Sequence, residues 1–150
     1  MSRVMSSRMF LISAVTSLAF AGGFRLGQAR EPAVRVTPLF STSTTVMDEL
    51  IVYPAGTPAK LTAAIVAMQP GGETGWHTHG VPLTGIVLEG ELTVDYGDKR
   101  RRTYRTGDAL AEAINVPHNG SNLGTLPMRL FAVYLGAEGV PNSVPVAQEK

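Results

Sequence analysis

Residues 71–79 read GGETGWHTH, a glycine-rich turn that runs into two histidines separated by one residue. In a β-strand, residues i and i+2 point to the same face, so His77 and His79 can present two imidazoles to one ion. The chain contains 3 histidines, and the third is His118. A His-x-His pair alone is also typical of an ordinary surface loop, so the surrounding sequence has to decide between these interpretations.

Short runs rich in β-branched residues surround this stretch, and Gly, Pro, Asn or Asp bound each run. No stretch after residue 30 has a convincing helical periodicity. This pattern predicts an all-β antiparallel fold, either a sandwich or a barrel. The predicted strands are Val46–Tyr53, Leu61–Met68, Thr84–Leu88, Glu91–Tyr96, Lys99–Arg105, Ala109–Ile114 and Met128–Leu135. The apolar residues expected in the core are Ile86, Leu88, Leu110, Phe131, Val133 and Leu135.

The spacing of glycines and histidines resembles that of the cupins. Their first motif runs Gly, five residues, His-x-His, three or four residues, Glu, six residues, Gly; the chain matches it at Gly71, His77, His79 and Gly90. Their second motif runs Gly, five residues, Pro-x-Gly, two residues, His, three residues, Asn; the chain matches it at Gly107, His118 and Asn122. The resemblance implies the cupin double-stranded β-helix, a jelly-roll barrel, over residues 46–140, with Asn122 as a structural residue.

The same resemblance implies one divalent transition metal, held by His77, His79 and His118. Fe, Mn, Ni, Cu and Zn all remain candidates for the ion. Where the family has a metal-binding glutamate this chain has Leu83, and the Pro-x-Gly tripeptide reads Ala113-Ile114-Asn115. Three neutral imidazoles would leave the full charge of the ion uncompensated and up to three coordination positions open. Glu73 and Glu112 are the acids within plausible reach of the vacant ligand position.

Two functions from different classes remain open for such a site. The first is a metal-dependent enzyme of dioxygenase type acting on a small organic substrate, with a zinc-dependent hydrolytic reaction as its variant. The second is a non-catalytic module that captures a metal or a small ligand, because fold does not fix function. A barrel that binds no metal is a weaker third possibility. No residue beyond the three ligands stands out as catalytic.

The N-terminus has the layout of a secretory signal peptide: a basic start, an apolar run from Met9 to Phe20, and small residues after it. We predict cleavage after Ala21, with residue 29 as the alternative end, and hence a periplasmic or secreted protein. The apolar run is shorter than the ~20 residues that span a bilayer, although an uncleaved membrane anchor is the alternative. Residues 22–45 are expected to form an extended arm with an edge strand near Val34–Val36, and residues 141–150 a C-terminal tail.

Composition narrows the choice of partners. The formal net charge is +1 and includes Arg3 and Arg8, which a cleaved leader would remove, so the mature chain would have a net charge of about −1 or −2 and nucleic acid is not an expected partner. The chain has no cysteine, so any metal ligand must be N or O. The expected partners are a small-molecule ligand and, because cupins often pair through edge strands, a second copy of the chain. The basic residues of Lys99–Arg105 are interpreted as charge that protects an edge strand.

Overall fold

The structure, a computed structural model, describes residues 34–147. Within these residues the chain forms nine strands and a single turn of 3-10 helix at Gly97–Lys99. The strands are β1 (Ala59–Met68), β2 (His77–Thr78), β3 (Leu83–Glu89), β4 (Glu91–Asp95), β5 (Arg101–Arg105), β6 (Ala109–Ala111), β7 (Asn119–Ser121), β8 (Met128–Ala137) and β9 (Val144–Pro145). The predicted all-β class is therefore confirmed. No helix between residues 34 and 147 has the length and hydropathy needed to cross a bilayer.

Three antiparallel sheets organise these strands. A four-stranded sheet has the order β1-β8-β3-β6, a three-stranded sheet has the order β5-β4-β7, and β2 pairs with β9. The longest pairing joins β1 and β8 over ten residues each, from Ala59 opposite Ala137 to Met68 opposite Met128. This pairing places β1, which precedes the first histidine segment, beside β8, which follows the second.

The core lies where the inner faces of the four-stranded and three-stranded sheets meet. Along β8 the buried residues are Met128, Leu130 and Ala132, while Arg129 and Phe131 between them are exposed. On the facing sheet Leu92 and Val94 are buried in the same cluster. Burying one such side chain contributes about 1.5–3 kcal/mol, so this cluster supplies much of the fold's stability.

The predicted core residues divide between the two faces of the four-stranded sheet. Leu110 is buried as expected, but Leu88 and Phe131 are each 39% exposed and do not belong to the core. The reason is the period of two along a strand: both faces of β3 and β8 are apolar, and the neighbours Val87 and Leu130 point inward instead. Ile86, Val133 and Leu135 are partly buried on the outer face.

Two predicted strands are wrong. Val46–Tyr53 contains no strand; a tight turn replaces it, closed by an isolated bridge between Thr44 and Leu50. Asp48 adopts a φ of 63°, and the Thr45 hydroxyl accepts hydrogen bonds from the backbone N–H groups of Met47 and Glu49. These local bonds satisfy backbone groups that a strand would need for a ladder. Val34–Val36 is likewise outside any strand.

Motif residues that are not ligands have structural roles. Gly90 turns the chain between β3 and β4 with a φ of 70°, and a Cβ there would lie 2.6 Å from the carbonyl oxygen of Pro127. Only glycine fits this position. The buried Asn122 side chain donates hydrogen bonds to the carbonyl oxygens of Met68 and Leu126, at 3.1 and 2.8 Å. Its predicted structural role is confirmed.

The basic segment is an edge strand, as predicted. β5 has β4 as its only neighbour in the three-stranded sheet, and Arg101, Arg102 and Arg105 on it are exposed. Arg101 pairs with Asp95, and Arg105 lies 3.7 Å from Glu91. Charge on an edge strand opposes unwanted pairing with another chain.

Candidate metal centre

Backbone hydrogen bonds bring the three histidines together from two distant segments. His77 lies on β2, His79 follows it, and His118 immediately precedes β7. The backbone N–H of His77 donates to the carbonyl oxygen of His118, and the reverse bond is also made, both at 3.0 Å. The N–H of His79 donates to the carbonyl oxygen of Ile114 at 2.8 Å. The first and second motif segments are therefore held in register at the site.

The three imidazoles converge on one point. One ring nitrogen from each histidine lies within 4.8 Å of the others. The ring centroids are 4.4 Å apart for His77 and His118, 4.9 Å for His77 and His79, and 5.0 Å for His79 and His118. His79 and His118 are buried, whereas His77 is half-buried. The three histidines could hold one metal ion between them.

A hydrogen bond at Nδ1 determines the tautomer of each ring. Nδ1 of His77, His79 and His118 lies 2.8, 2.9 and 2.8 Å from the backbone carbonyl oxygens of Gly75, Asn142 and Val116, respectively. A carbonyl oxygen only accepts hydrogen bonds, so each Nδ1 carries a proton and each neutral ring has its lone pair on Nε2. Backbone carbonyls commonly orient metal-binding histidines in this way.

The two buried Nε2 atoms indicate what the site needs. Nε2 of His118 lies 3.3 Å from Nε2 of His79. With both Nδ1 atoms protonated, two lone pairs face each other across this distance, and a cation that accepts both lone pairs would remove their repulsion. The donor set therefore fits a divalent transition metal, for which neutral imidazole is a good ligand.

Burial keeps these rings neutral. Desolvation lowers the pKa of His77, His79 and His118, and it lowers the pKa of His79 to about 4. Hydrogen bonds to the backbone oppose the shift without cancelling it. At neutral pH a metal would thus compete with few protons for the three lone pairs.

A buried acid and two tyrosines stand next to the histidines. Glu112 is buried, accepts a hydrogen bond from the Tyr96 hydroxyl, and accepts another from the N–H of Ala113 at 3.1 Å. Burial raises the pKa of Glu112 and of Tyr96. The ring of Tyr96 lies 5.6 Å from that of His118, and the ring of Tyr134 lies 5.7 Å from that of His79.

Neither acid considered for the vacant ligand position joins the histidines. Among residues 34–147, the histidines form the only group of three or more metal-binding side chains, and it contains neither Glu73 nor Glu112. Glu73 is exposed and accepts a hydrogen bond from the Asn119 side chain at 2.7 Å. Leu83, at the position of the family's glutamate, is buried in the core. The donor set is three imidazoles without a carboxylate.

Some residues of the site were missed by reasoning from sequence. Tyr134 faces inward on β8 with Met128, Leu130 and Ala132, so the period of two could have identified it. The carbonyl of Asn142 and the carboxylate of Glu49 reach the site from segments distant in sequence, and no local pattern marks either. Residues 144–145, within the predicted C-terminal tail, pair with β2.

Comparisons with known proteins agree with the fold. The family model described as "Cupin domain" (Cupin_2) matches residues 64–134. No curated protein matches the sequence. Among solved structures, a conserved protein with a double-stranded β-helix domain from Klebsiella pneumoniae is 18% identical, with a TM-score of 0.51, and the match covers 72% of this chain and 100% of that one.

Two enzymes of named activity share the fold. The DMSP lyase DddQ from Ruegeria pomeroyi is 21% identical with a TM-score of 0.51, covering 60% of this chain and 45% of the lyase. The oxalate decarboxylase from Lactobacillus farciminis is 23% identical with a TM-score of 0.50, covering 57% of this chain and 26% of the decarboxylase. The chain thus spans about a quarter of the decarboxylase and under half of the lyase. Structural matches at such low sequence identity show the fold alone, and they confirm the predicted double-stranded β-helix.

Proposed function

Residues 64–134 form a cupin domain, and we propose that the protein is an exported metal-dependent enzyme of oxygenase type acting on a small, anionic organic substrate. The observation that carries this proposal is the set of three Nδ1-protonated imidazoles, of which one ring nitrogen each lies within 4.8 Å of the others and the Nε2 atoms of His79 and His118 lie 3.3 Å apart. His77, His79 and His118 would hold one divalent transition metal. When bound, a redox-active metal of this kind supplies a site at which an organic substrate and dioxygen can be activated together.

The charge of the site favours an anionic ligand. Three neutral imidazoles leave the full charge of a divalent ion uncompensated, and no carboxylate joins them within residues 34–147. A substrate with two adjacent oxygen or sulfur donors, one of them anionic, would supply both charge and chelation. Tyr134 stands next to His79, and its hydroxyl makes no hydrogen bond within the described residues, so we assign it to the orientation of the bound substrate.

Oxygen consumption tests this proposal. The purified protein is reconstituted separately with Fe(II), Mn(II) and Zn(II) and assayed in an oxygen electrode against small thiols, β-diketones and 2-hydroxy acids. We expect consumption with a redox metal, none with Zn(II), and none for His77→Ala/His79→Ala. Metal binding without turnover of any of these substrates would contradict the proposed enzyme activity and support a non-catalytic binding module.

The rival is a non-catalytic module that captures a metal or a small ligand. The observation that favours it is Leu83: the position of the family's glutamate ligand is filled by an apolar side chain of the core. For such a module we expect tight metal or ligand binding, with a 1:1 stoichiometry, and an unchanged ligand after prolonged incubation with dioxygen.

Export is part of the proposal and rests on residues 1–21, which lie outside the described residues. Expression of the whole chain in a bacterial host, followed by fractionation and N-terminal sequencing, tests it. We expect a periplasmic protein that begins at Gly22, or at Arg30 if the alternative site is used. A cytoplasmic protein of full mass would contradict export, and a full-length protein in the membrane fraction would support the anchored alternative.

We also propose that the protein is a homodimer, formed by the outer face of the four-stranded sheet. Leu61 and Ile65 on β1 are 71% and 48% exposed, and Phe131 pairs directly opposite Ile65 on the same face. Other apolar residues of this outer sheet face include Ala63, Ile86, Val133 and Leu135. The four strands, of 10, 10, 7 and 3 residues at ~3.4 Å per residue and ~4.8 Å apart, give a face of roughly 500 Å². Two such faces would bury roughly 1,000 Å² in total, at the low end of the range for a specific interface.

A further inference from the structure

The tight turn at residues 44–50 holds one acidic side chain in a defined orientation. The Thr45 hydroxyl accepts hydrogen bonds from the N–H groups of Met47 and Glu49, each at 3.2 Å, and donates to Oε2 of Glu49 at 3.1 Å. Thr45 itself is buried, and its N–H donates to the carbonyl oxygen of Glu49 at 2.9 Å. The carboxylate of Glu49 is thereby directed toward a distant segment of the chain.

That segment is the loop that leads to the third histidine. Oε2 of Glu49 accepts a hydrogen bond from the N–H of Ile114, and Oε1 accepts one from the N–H of Asn115, both at 2.8 Å. Each bond is charge-assisted and stronger than a bond between neutral groups. Both N–H groups belong to the tripeptide Ala113-Ile114-Asn115, which contains neither proline nor glycine to restrict the turn locally.

The loop anchored in this way sets the position of two histidines. The carbonyl oxygen of Ile114 accepts the N–H of His79, and the carbonyl oxygen of Val116 accepts Nδ1–H of His118, both at 2.8 Å. A shift of the loop at Ile114 or Asn115 would move both acceptors. Glu49 therefore acts on His79 and His118 through the backbone, because within residues 34–147 its carboxylate bonds the N–H groups of Ile114 and Asn115 and makes no hydrogen bond to either ring.

We propose that Glu49 is a positioning residue of the metal centre: its carboxylate clamps residues 113–116 so that the Nε2 atoms of His79 and His118 converge. In this chain the carboxylate of Glu49 restricts the loop at residues 113–115, where the family motif has a turn-forming Pro-x-Gly. The inference rests on the proposed function for its metal, but the clamp consists of protein groups alone and can be measured without a metal.

The test compares Glu49→Gln with Asp48→Asn. Glutamine is isosteric but offers one acceptor oxygen, so its NH₂ group would face one of the two backbone N–H groups. Asp48→Asn removes the same charge from the same turn, and asparagine tolerates the positive φ of Asp48. Among the described residues the exposed side chain of Asp48 pairs with Arg100 alone, at 3.6 Å, so this variant controls for charge. Glu49→Asp keeps the charge but is too short to reach both N–H groups.

Two readouts separate the clamp from the metal site. In the metal-free protein, amide hydrogen exchange at Ile114 and Asn115 is expected to accelerate in Glu49→Gln and Glu49→Asp but not in Asp48→Asn. In the Co(II)-loaded protein, the visible d–d spectrum is expected to change and the dissociation constant to rise about tenfold or more in the same two variants, as for other residues that orient metal ligands.

Three results would overturn the proposal. Unchanged exchange in Glu49→Gln and Glu49→Asp would mean that the clamp does not hold the loop. Faster exchange with an unchanged Co(II) spectrum and affinity would reduce Glu49 to a structural role. An equal loss of Co(II) affinity in Asp48→Asn would mean that the effect of Glu49 comes from its charge alone. Failure of the native protein to bind Co(II) would instead reject the proposed function, and the exchange experiment would still decide whether Glu49 holds the loop. If Glu49→Gln does not fold, Glu49→Asp carries the test.

Discussion

The two faces of the four-stranded sheet have nearly the same apolar composition but opposite surroundings. On the inner face Met128, Leu130 and Ala132 are buried, and the same row of β8 continues to Tyr134 beside His79. On the outer face Leu61 and Ile65 are exposed to solvent although their neighbours are also apolar. Composition therefore does not distinguish the faces; what differs is that the inner face has a second sheet and the three histidines opposite it.

This difference determines where in the fold a metal can be bound. Only the inner face removes imidazoles from water, and that burial lowers their pKa values and leaves their lone pairs free. The outer face offers mainly apolar area, its polar groups include the ion pair of Arg129 with Glu89, and none of the three histidines lies on it. We therefore assign metal chemistry to the inner face and self-association to the outer face.

The largest expected effect comes from the same substitution made on either face. Leu130 is 6% exposed and Leu61 is 71% exposed. Leu130→Ala should lower the free energy of unfolding by about 2–5 kcal/mol, because it removes buried methyl groups and leaves a cavity. Leu61→Ala should cost less than about 1 kcal/mol in monomeric protein. Urea unfolding at a fixed, low protein concentration measures both free energies, and equal losses would show that the two faces do not differ in burial.

The outer face can be tested by adding a charge to it. Ile65→Lys places an ammonium group in the proposed interface, so we expect the dimer dissociation constant to rise about 100-fold, equivalent to about 2.7 kcal/mol. Light scattering coupled to size exclusion measures the mass. Leu126→Lys is the matched control, since Leu126 is 69% exposed but lies outside the four-stranded sheet. A native protein that is monomeric at high concentration, or an Ile65→Lys variant that still dimerises like the native chain, would contradict the interface.

A smaller effect is expected from acid on the metal-free protein. The pKa of His79 is about 4 in the folded chain against 6.5 in an unfolded one. Between these values the unfolded chain binds more protons, so the free energy of unfolding should fall as the pH falls from 6.5 toward 4 and stay at its higher level above 6.5. The raised pKa of Glu112 acts in the opposite sense.

Comparison with His79→Gln isolates the histidine, because Glu112 is present in both proteins. The variant should lose less stability than the native chain between pH 7 and about pH 4.5, as measured by urea unfolding in the presence of a chelator. Parallel pH profiles for the two proteins would show that His79 titrates normally in the folded state.

Much of the fold could be predicted from the sequence because its strands are marked by local residues. β-Branched runs bounded by turns located β1, β3, β4 and β8 to within about two residues, within the usual uncertainty of strand ends. The residues around Thr45 were misassigned because a side-chain hydroxyl takes the backbone N–H groups there. Phe131 was misassigned because a strand that is apolar on both faces does not indicate which face is inward.

The candidate site could be predicted only in part. Its three histidines stand in a recognisable spacing, so the sequence alone brings them together. The groups that orient them could not be predicted: the Asn142 carbonyl bonds a ring 63 residues away, and Glu49 bonds backbone groups 65 and 66 residues away. Such contacts depend on the tertiary fold, and backbone carbonyls leave no trace in residue identity.

The most direct test of the central claim is the metal content of the purified native protein against His118→Ala. Elemental analysis after reconstitution with a divalent transition metal should give about one equivalent per native chain and almost none for His118→Ala, as expected for a single site of three ligands. Thr78→Ala, between the two other histidines, should keep its metal, because alternate residues of a strand face opposite sides. A native chain without metal, or a His118→Ala variant that holds as much as the native chain, would contradict a centre built on His77, His79 and His118.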